Sequence, residues 1–397
     1  MHLDVTLRSP DKVGFKRRGK MLLTRSYKRS LLLGIVLLIA ALYVMGTRPG
    51  LKHFQGYTMG TTYSISYAAT LFSDPVKAVQ ADVERALEAI NDKMSTYRPD
   101  SELMQFNHAP VGKPFKASDE LVNLVHRSLY FSRISDGAYD VTVGPLVNLW
   151  GFGPSEKDSQ QPEKAMPAGQ DGAARDGTVD PVLWMLANYP TEVPSDESIS
   201  AALDRVGYKF LTVDTDHDTM TRHKDLFVDL SSIAKGYGVD VVGQTLKRRG
   251  INNYMVEIGG EVLVHGSKPD GDAWRLGIRG PAMTAGGMPR LVVTIGNRAL
   301  ATSGDYLNYF EINGQKFSHM INPRTGRPEV SRLAEVAVIA DSAATGDALA
   351  TMFMVLGDKK GLELANREGI AAYFTYHSKD GGFESVSSEA FKPYQHH

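Results

Sequence analysis

Residues 226–265 read LFVDLSSIAKGYGVDVVGQTLKRRGINNYMVEIGGEVLVH. Leu226–Leu230 is a short apolar run of the kind that forms a strand. Ile233–Arg249 reads as a helix. Tyr254–Ile258 and Glu261–His265 are two further short apolar runs, and Gly259-Gly260 between them marks a tight hairpin turn. A strand and a helix followed by a hairpin is not a repeating β-α-β unit. The reading extends outward in the same way. Downstream, Trp274–Ile278, Leu291–Ile295, Tyr306–Ile312, Leu333–Ala340 and Ala371–Tyr376 read as strands, with helices at Ser342–Leu356 and Lys359–Glu368. Upstream, Phe210–Val213 reads as a strand and Ser195–Val206 as a helix. Before them, Ser118–Ile134 (capped by Ser118) and Val76–Lys93 read as helices, and Tyr57–Tyr67 as a strand. Many consecutive strands with helices at intervals, and no repeat of fixed period, indicate an α+β fold with a mixed, largely antiparallel sheet and packed helices.

The composition suits a folded body. Of 397 residues, 42% are hydrophobic and 22% charged, and 15 Phe, 17 Tyr and 3 Trp exclude a wholly disordered chain. There is no Cys, so disulfides, thiolate metal sites, Cys nucleophiles and lipidated Cys are excluded. The net charge of −1 is split unevenly. Residues 1–29 hold nine Lys or Arg against Asp4 and Asp11, so the remaining chain is acidic, which argues against nucleic-acid binding. Leu31–Met45 (LLLGIVLLIAALYVM) carries no charge. The cations before it favour an N-in orientation, with residue 48 onward outside the cytoplasm. Bulky Leu42, Tyr43, Val44 and Met45 make a poor cleavage site and favour an uncleaved anchor over a cleaved signal peptide, although a 15-residue apolar core fits both. The expected layout is a basic tail at 1–29, a transmembrane segment at 30–47 and one domain at 48–397. Residues 155–180, rich in Gln, Gly, Asp, Lys, Ala and Pro, read as a flexible insertion.

Familiar nucleotide motifs are missing. There is no GxxxxGK[ST] loop, HExxH or GxSxG. After Gly236-x-Gly238 the dinucleotide fingerprint needs a third Gly where Val241 stands. Three polar clusters remain. Val228–Gly238 lies where an apolar run gives way to a helix. Asp229 and Ser232 can cap that helix; equally, its free N–H groups and Lys235 can bind phosphate. The second cluster is Thr302–Tyr306 followed by Ser318–Gly326, where His319 stands beside an Asn-Pro-Arg-Thr-Gly turn. A lone His is more often a hydrogen-bonded structural residue than a catalyst. In the third, Asp341–Thr351, Asp347 and Thr351 are four apart and share a helix face among small residues. That is either a solvated polar face or a pair of ligands for a hard cation such as Mg²⁺.

Together these pieces resemble the ApbE family, the FAD:protein FMN transferases. The segments occur in family order: Thr58-Met59-Gly60-Thr61, Met94–Leu103, Asp136–Leu146, Asp229–Tyr237, Ile258-Gly259-Gly260-Glu261, His319–Gly326 and Asp347–Thr351. The resemblance implies transfer of FMN from FAD to a Thr hydroxyl of an acceptor protein, with release of AMP and a requirement for Mg²⁺. It implies Asp347 and Thr351 as metal ligands, completed by Ser232. Met59, Tyr97, Ala138, Tyr139, Asp140, Asp229, Lys235 and Ile321 match FAD-contacting positions, and His319 matches a His near the transferred phosphate that can take the Thr proton. Ala350 stands where some members carry a second Asp. Implied partners are FAD and acceptors of the Nqr or Rnf electron-transport type. The implied location is the bacterial inner membrane, with the catalytic domain in the periplasm. An FAD pyrophosphatase giving FMN and AMP, or a non-catalytic flavin-binding protein, are the alternatives.

Overall fold

A computed structural model describes residues 25–153, 192–280, 290–305 and 309–395 of the chain. The expected insertion at 155–180 and the tail before residue 25 lie outside these residues. The chain divides into two units, Met1–Arg48 and Pro49–His397. In the first, helix α1 spans Arg25–Thr47, and its Arg29–Thr47 portion is long and apolar enough to cross a membrane. Leu31, Leu32, Leu33, Val36, Leu37 and Leu38 on this helix are all exposed, so it is not a core helix of a globular body.

The second unit is built on one eight-stranded sheet. We label its strands β1 (Gly50–Thr58), β2 (Thr61–Ala69), β3 (Tyr254–Ile258), β4 (Glu261–His265), β5 (Ala299–Gly304), β6 (Leu333–Ala340), β7 (Ala371–His377) and β8 (Phe383–Ser387). They lie side by side in chain order, and every pairing is antiparallel. The α+β expectation holds. The excursions between neighbouring strands carry the helices: α2 (Val76–Met94), α3 (Glu102–His108), α4 (Asp119–Ile134), α5 (Gly144–Leu149), α6 (Asp196–Leu203) and α7 (Ala234–Arg248) between β2 and β3, then α8 (Ala343–Leu356) and α9 (Asp358–Arg367) between β6 and β7.

Packing explains the sequence pattern. All eight residues of β6 are buried. Val336 and Val338 face the cluster that holds Phe353 of α8, while Ala337 and Ile339 join Trp274, Ile278 and Phe391 on the other side. A strand covered on both faces reads as a continuous apolar run rather than an alternation. Truncating Phe353, fully buried between α8 and the sheet, would cost about 3–5 kcal/mol. Helix α8 is lined with Ala and Gly because it lies close to β5: a Cβ on Gly346 would stand 3.0 Å from that of Ala301.

Several local expectations are corrected. Tyr57–Tyr67 is not one strand but a hairpin, because Met59 and Gly60 both take positive φ (49° and 71°) and turn the chain. Met is a rare first residue for such a turn, so the break was hidden. Leu226–Leu230 is not a strand. It is buried extended chain whose one ladder contact is a parallel bridge from Phe227 to Val143. Its apolar character comes from burial, not from pairing. Thr302-Ser303-Gly304, the start of the second polar cluster, lies inside β5, a strand the sequence reading did not include. β5 (ALATSG) lacks the branched and aromatic residues of an ordinary strand, since α8 leaves room only for small ones. Of Tyr306–Ile312, only Tyr309–Ile312 is described, as a strand paired with Gln315–Ser318.

Candidate active site

The site grows from the paired starts of α7 and α8. No side chain caps α7 from its own N-terminal turn. The expected capping by Asp229 and Ser232 does not occur. Asp229 Oδ1 instead accepts from Ser231 N (2.7 Å) and Ser231 Oγ (2.5 Å), and Ser232 Oγ donates to the Tyr139 hydroxyl at 2.9 Å. The α7 start is satisfied from another helix: Gly236 N donates to Asp347 Oδ2 at 3.0 Å. The exchange is mutual. Asp240 on α7 accepts from Ala343 N (2.8 Å) and Ala344 N (3.0 Å) at the start of α8. Each helix thus supplies the carboxylate that satisfies the other's orphan N–H groups. Residue 236 must be Gly, because a Cβ there would stand 2.3 Å from the Ala343 carbonyl oxygen.

This pairing aims the other oxygen of Asp347 at Lys235. Lys235 Nζ is 3.4 Å from Asp347 Oδ1 and 3.4 Å from Glu261 Oε1. The Lys235 side chain is 30% exposed, whereas both carboxylates are 2% exposed. Glu261 Oε2 is buried with no hydrogen-bond partner. Burial disfavours the Lys235 charge, but Asp347 and Glu261 outweigh it and hold the ammonium above the usual lysine range. For Glu261, burial is the largest influence, Lys235 opposes it and Asp347 adds to it; the carboxyl ends well above its ordinary range. One turn along α8 from Asp347, Thr351 Oγ1 lies 3.4 Å from Ser303 Oγ on β5. Burial likewise pushes up the Tyr139 phenol.

Other expected residues brace the neighbouring turns and loops. Met59, in the β1–β2 turn, packs on α7, its Cε lying 3.1 Å from where a Cβ on Gly238 would stand. Both oxygens of Asp140 are committed: Oδ1 accepts from Thr142 N (2.8 Å) and Thr142 Oγ1 (2.7 Å), and Oδ2 accepts from Tyr208 N (2.9 Å). Asp140 therefore shapes the loop that carries buried Ala138 and Tyr139. Burial raises the carboxyl pKa of both Asp140 and Asp229.

A second group is aromatic. The Phe152 ring meets the His319 ring edge-on at 6.2 Å, and the Phe152 carbonyl accepts from the Tyr97 hydroxyl at 3.4 Å. Ile321 is buried with Trp150, Phe310 and Phe317, and its N–H donates to the His319 carbonyl at 3.0 Å. Arg324 ties the two groups together, donating to the carbonyls of Ser135 (2.8 Å) and Asp136 (2.7 Å) in the loop that leads to Tyr139. Sequence reasoning missed Glu261, Asp240 and Phe152 as site residues, and held Ser303 only as part of the second polar cluster. The signals were a lone acid opening an apolar hairpin strand and another inside the apolar pattern of α7.

The ApbE family model matches residues 59–374, a span that holds both groups. The chain belongs to the ApbE family. It is 39% identical over 343 residues to the FAD:protein FMN transferase of Vibrio cholerae serotype O1, covering 86% of this chain and 92% of that one. It is 36% identical over 374 residues to the Haemophilus influenzae protein of the same name, covering 92% and 98%. Among solved structures, the V. cholerae flavin transferase ApbE superposes with a TM-score of 0.73 at 38% identity, over 87% of this chain and 99% of that one. The apo flavinyl transferase ApbE of Pseudomonas stutzeri gives 0.72 at 36%, over 87% and 97%. This ApbE-family chain is an enzyme of the transferase class.

Among the described residues, no three His, Asp or Glu side chains form a metal-binding group. The ApbE site nevertheless suits a hard divalent cation. Asp347 offers a buried carboxylate and Thr351 a hydroxyl one turn along the same helix, and an ammonium already takes a cation's place between Asp347 and Glu261.

Proposed function

We propose that this chain transfers the FMN moiety of FAD to a Thr hydroxyl of an acceptor protein and releases AMP. The Thr oxygen forms a bond to the FMN-side phosphorus, the bond from that phosphorus to the bridging oxygen breaks, and AMP leaves with that oxygen. The observation that carries the reading is the Lys235 ammonium held between two buried carboxylates where α7 and α8 begin. Such a junction offers a positive charge, at the start of two helices, to a diphosphate.

In this reading Asp347 and Thr351, with Ser232 completing the set, hold Mg²⁺, which supplies charge neutralisation on the transferring phosphoryl group. Lys235 contacts the diphosphate. Tyr97, Met59, Ala138, Tyr139 and Ile321 line the FAD site. Asp140 and Asp229 act chiefly by holding the loops, since their bonded oxygens already serve backbone and hydroxyl groups. His319 accepts the Thr proton at a ring nitrogen, with Phe152 orienting the ring. Helix α1 anchors the chain N-in at the bacterial inner membrane with the body in the periplasm, where acceptors of the Nqr or Rnf type present their Thr. The supports for this placement are the nine cations before the apolar run and the uncovered helix.

The test is to incubate the full chain in detergent with FAD, Mg²⁺ and a candidate acceptor, and to read acceptor-bound flavin fluorescence in a denaturing gel. A fluorescent acceptor supports transfer. Free FMN and AMP with unlabelled acceptor would make the chain an FAD pyrophosphatase, and intact FAD would make it a flavin-binding protein.

A further inference from the structure

Glu261 flanks Lys235 in the proposed site but takes no step of the reaction described above, and it is buried. It opens β4 directly after the Gly259-Gly260 turn. One of its oxygens lies 3.4 Å from Lys235 Nζ, and the other is buried with no partner. A partnerless buried carboxylate oxygen is costly and calls for an occupant in some state of the protein. Lys235 is placed to supply one. Its ammonium stands at equal distance from Glu261 and Asp347, and neither contact is short for a charged pair. Its stem approaches the turn: Lys235 Cδ is 3.3 Å from where a Cβ on Gly259 would stand.

We propose that Glu261 is a positioning residue for a cation exchange: Lys235 bridges Asp347 and Glu261 in the metal-free protein, and a divalent cation taking Asp347 drives Lys235 wholly onto Glu261. The inference rests on the reading of Asp347 as a cation ligand. Two cations cannot share Asp347 Oδ1 at close range, so the ammonium must leave as the metal arrives. Glu261 gives it a second carboxylate within a small displacement, and the unused Oε2 becomes a second acceptor. Lys235 would then stay at the α7–α8 junction instead of competing for the ligand. Without Glu261 the ammonium has, among the described residues, Asp347 alone as counter-ion and holds it against the metal.

The test measures Mn²⁺ binding to the full chain in detergent without FAD, from the electron paramagnetic resonance signal of free Mn²⁺. Four variants are compared with wild type: Glu261→Gln, Lys235→Met, the double variant and Asp347→Asn. Glu261→Gln should weaken binding about tenfold or more, and Lys235→Met should tighten it. In the Lys235→Met background the Glu261→Gln change should cost less than about threefold, because the ammonium that Glu261 draws off Asp347 is no longer there. Equal losses in both backgrounds would mean that Glu261 acts on the metal directly and would overturn the exchange. So would Mn²⁺ binding unchanged in both single variants. Should Glu261→Gln fail to fold, the Lys235→Met arm still decides: no tightening there overturns the proposal. Asp347→Asn should abolish binding. If it does not, or if neither wild type nor Lys235→Met binds Mn²⁺, the cation reading fails, and the exchange with it.

Discussion

The charged group at the α7–α8 junction and the aromatic group around His319 are built on opposite principles. The first stands on two helices that cap each other, so Asp347 and Lys235 inherit their positions from backbone hydrogen bonds. The second stands on connecting segments, where His319 follows the strand Gln315–Ser318 and Phe152 follows α5. The contrast suits the proposed division of work. A backbone-anchored frame can hold carboxylates in place while charge arrives, whereas a group that is to admit a flavin ring and an acceptor Thr must yield to them.

The sharpest break in this contrast is Asp347→Ala. It removes a cation ligand and the acceptor for Gly236 N–H together, so transfer should fall to background, with a stability loss of only about 1–2 kcal/mol from the lost cap. Residual Mg²⁺-dependent activity near wild type in a folded variant would contradict the assignment. His319→Ala should lower transfer by about 10²–10⁴-fold while FAD still binds, measured by flavin fluorescence titration, because the removed group handles a proton and not the ligand. A parallel loss of binding would move His319 from chemistry to ligand contact. Gly236→Ala tests the junction itself. Its Cβ must push the Ala343 carbonyl away, so thermal unfolding should show a loss of roughly 1–3 kcal/mol, with reduced transfer.

These residues also show what the amino-acid order reveals and what it conceals. The helix from Ser342, the Ser118 cap, the Gly259-Gly260 turn and β6 were legible because each depends on neighbours in sequence. The cap on α7 was not, because Asp347 lies more than a hundred positions away. β5 was hidden by the small residues that α8 demands, and the β1–β2 turn by a Met at positive φ. Among site residues, Asp347 and Lys235 stood out in separate polar clusters as well as by family likeness, and the structure brings them into contact. Glu261 was quoted only as part of a turn motif, since nothing local says that its hairpin lies against Lys235.

The smallest predicted effect concerns Asp229, whose carboxylate holds the turn before α7. Burial raises its carboxyl pKa in the folded chain. A raised acid contributes stability that is complete below its unfolded pKa of about 3.9 and is lost as pH rises through the folded value. Asp229→Asn keeps the oxygen that accepts from Ser231 and cannot ionise. Its melting temperature relative to wild type should therefore improve as pH is raised from 4 toward 7; a constant difference would show that Asp229 does not resist ionisation.

The central claim is that the junction of α7 and α8 carries out phosphoryl transfer to protein rather than to water. Phosphorus NMR of FAD turnover by the full chain, with acceptor present, tests it most directly. The account predicts one AMP for each FMN phosphoester on the acceptor, no free FMN, and neither product with Asp347→Ala. AMP accompanied by an equal amount of free FMN would contradict it.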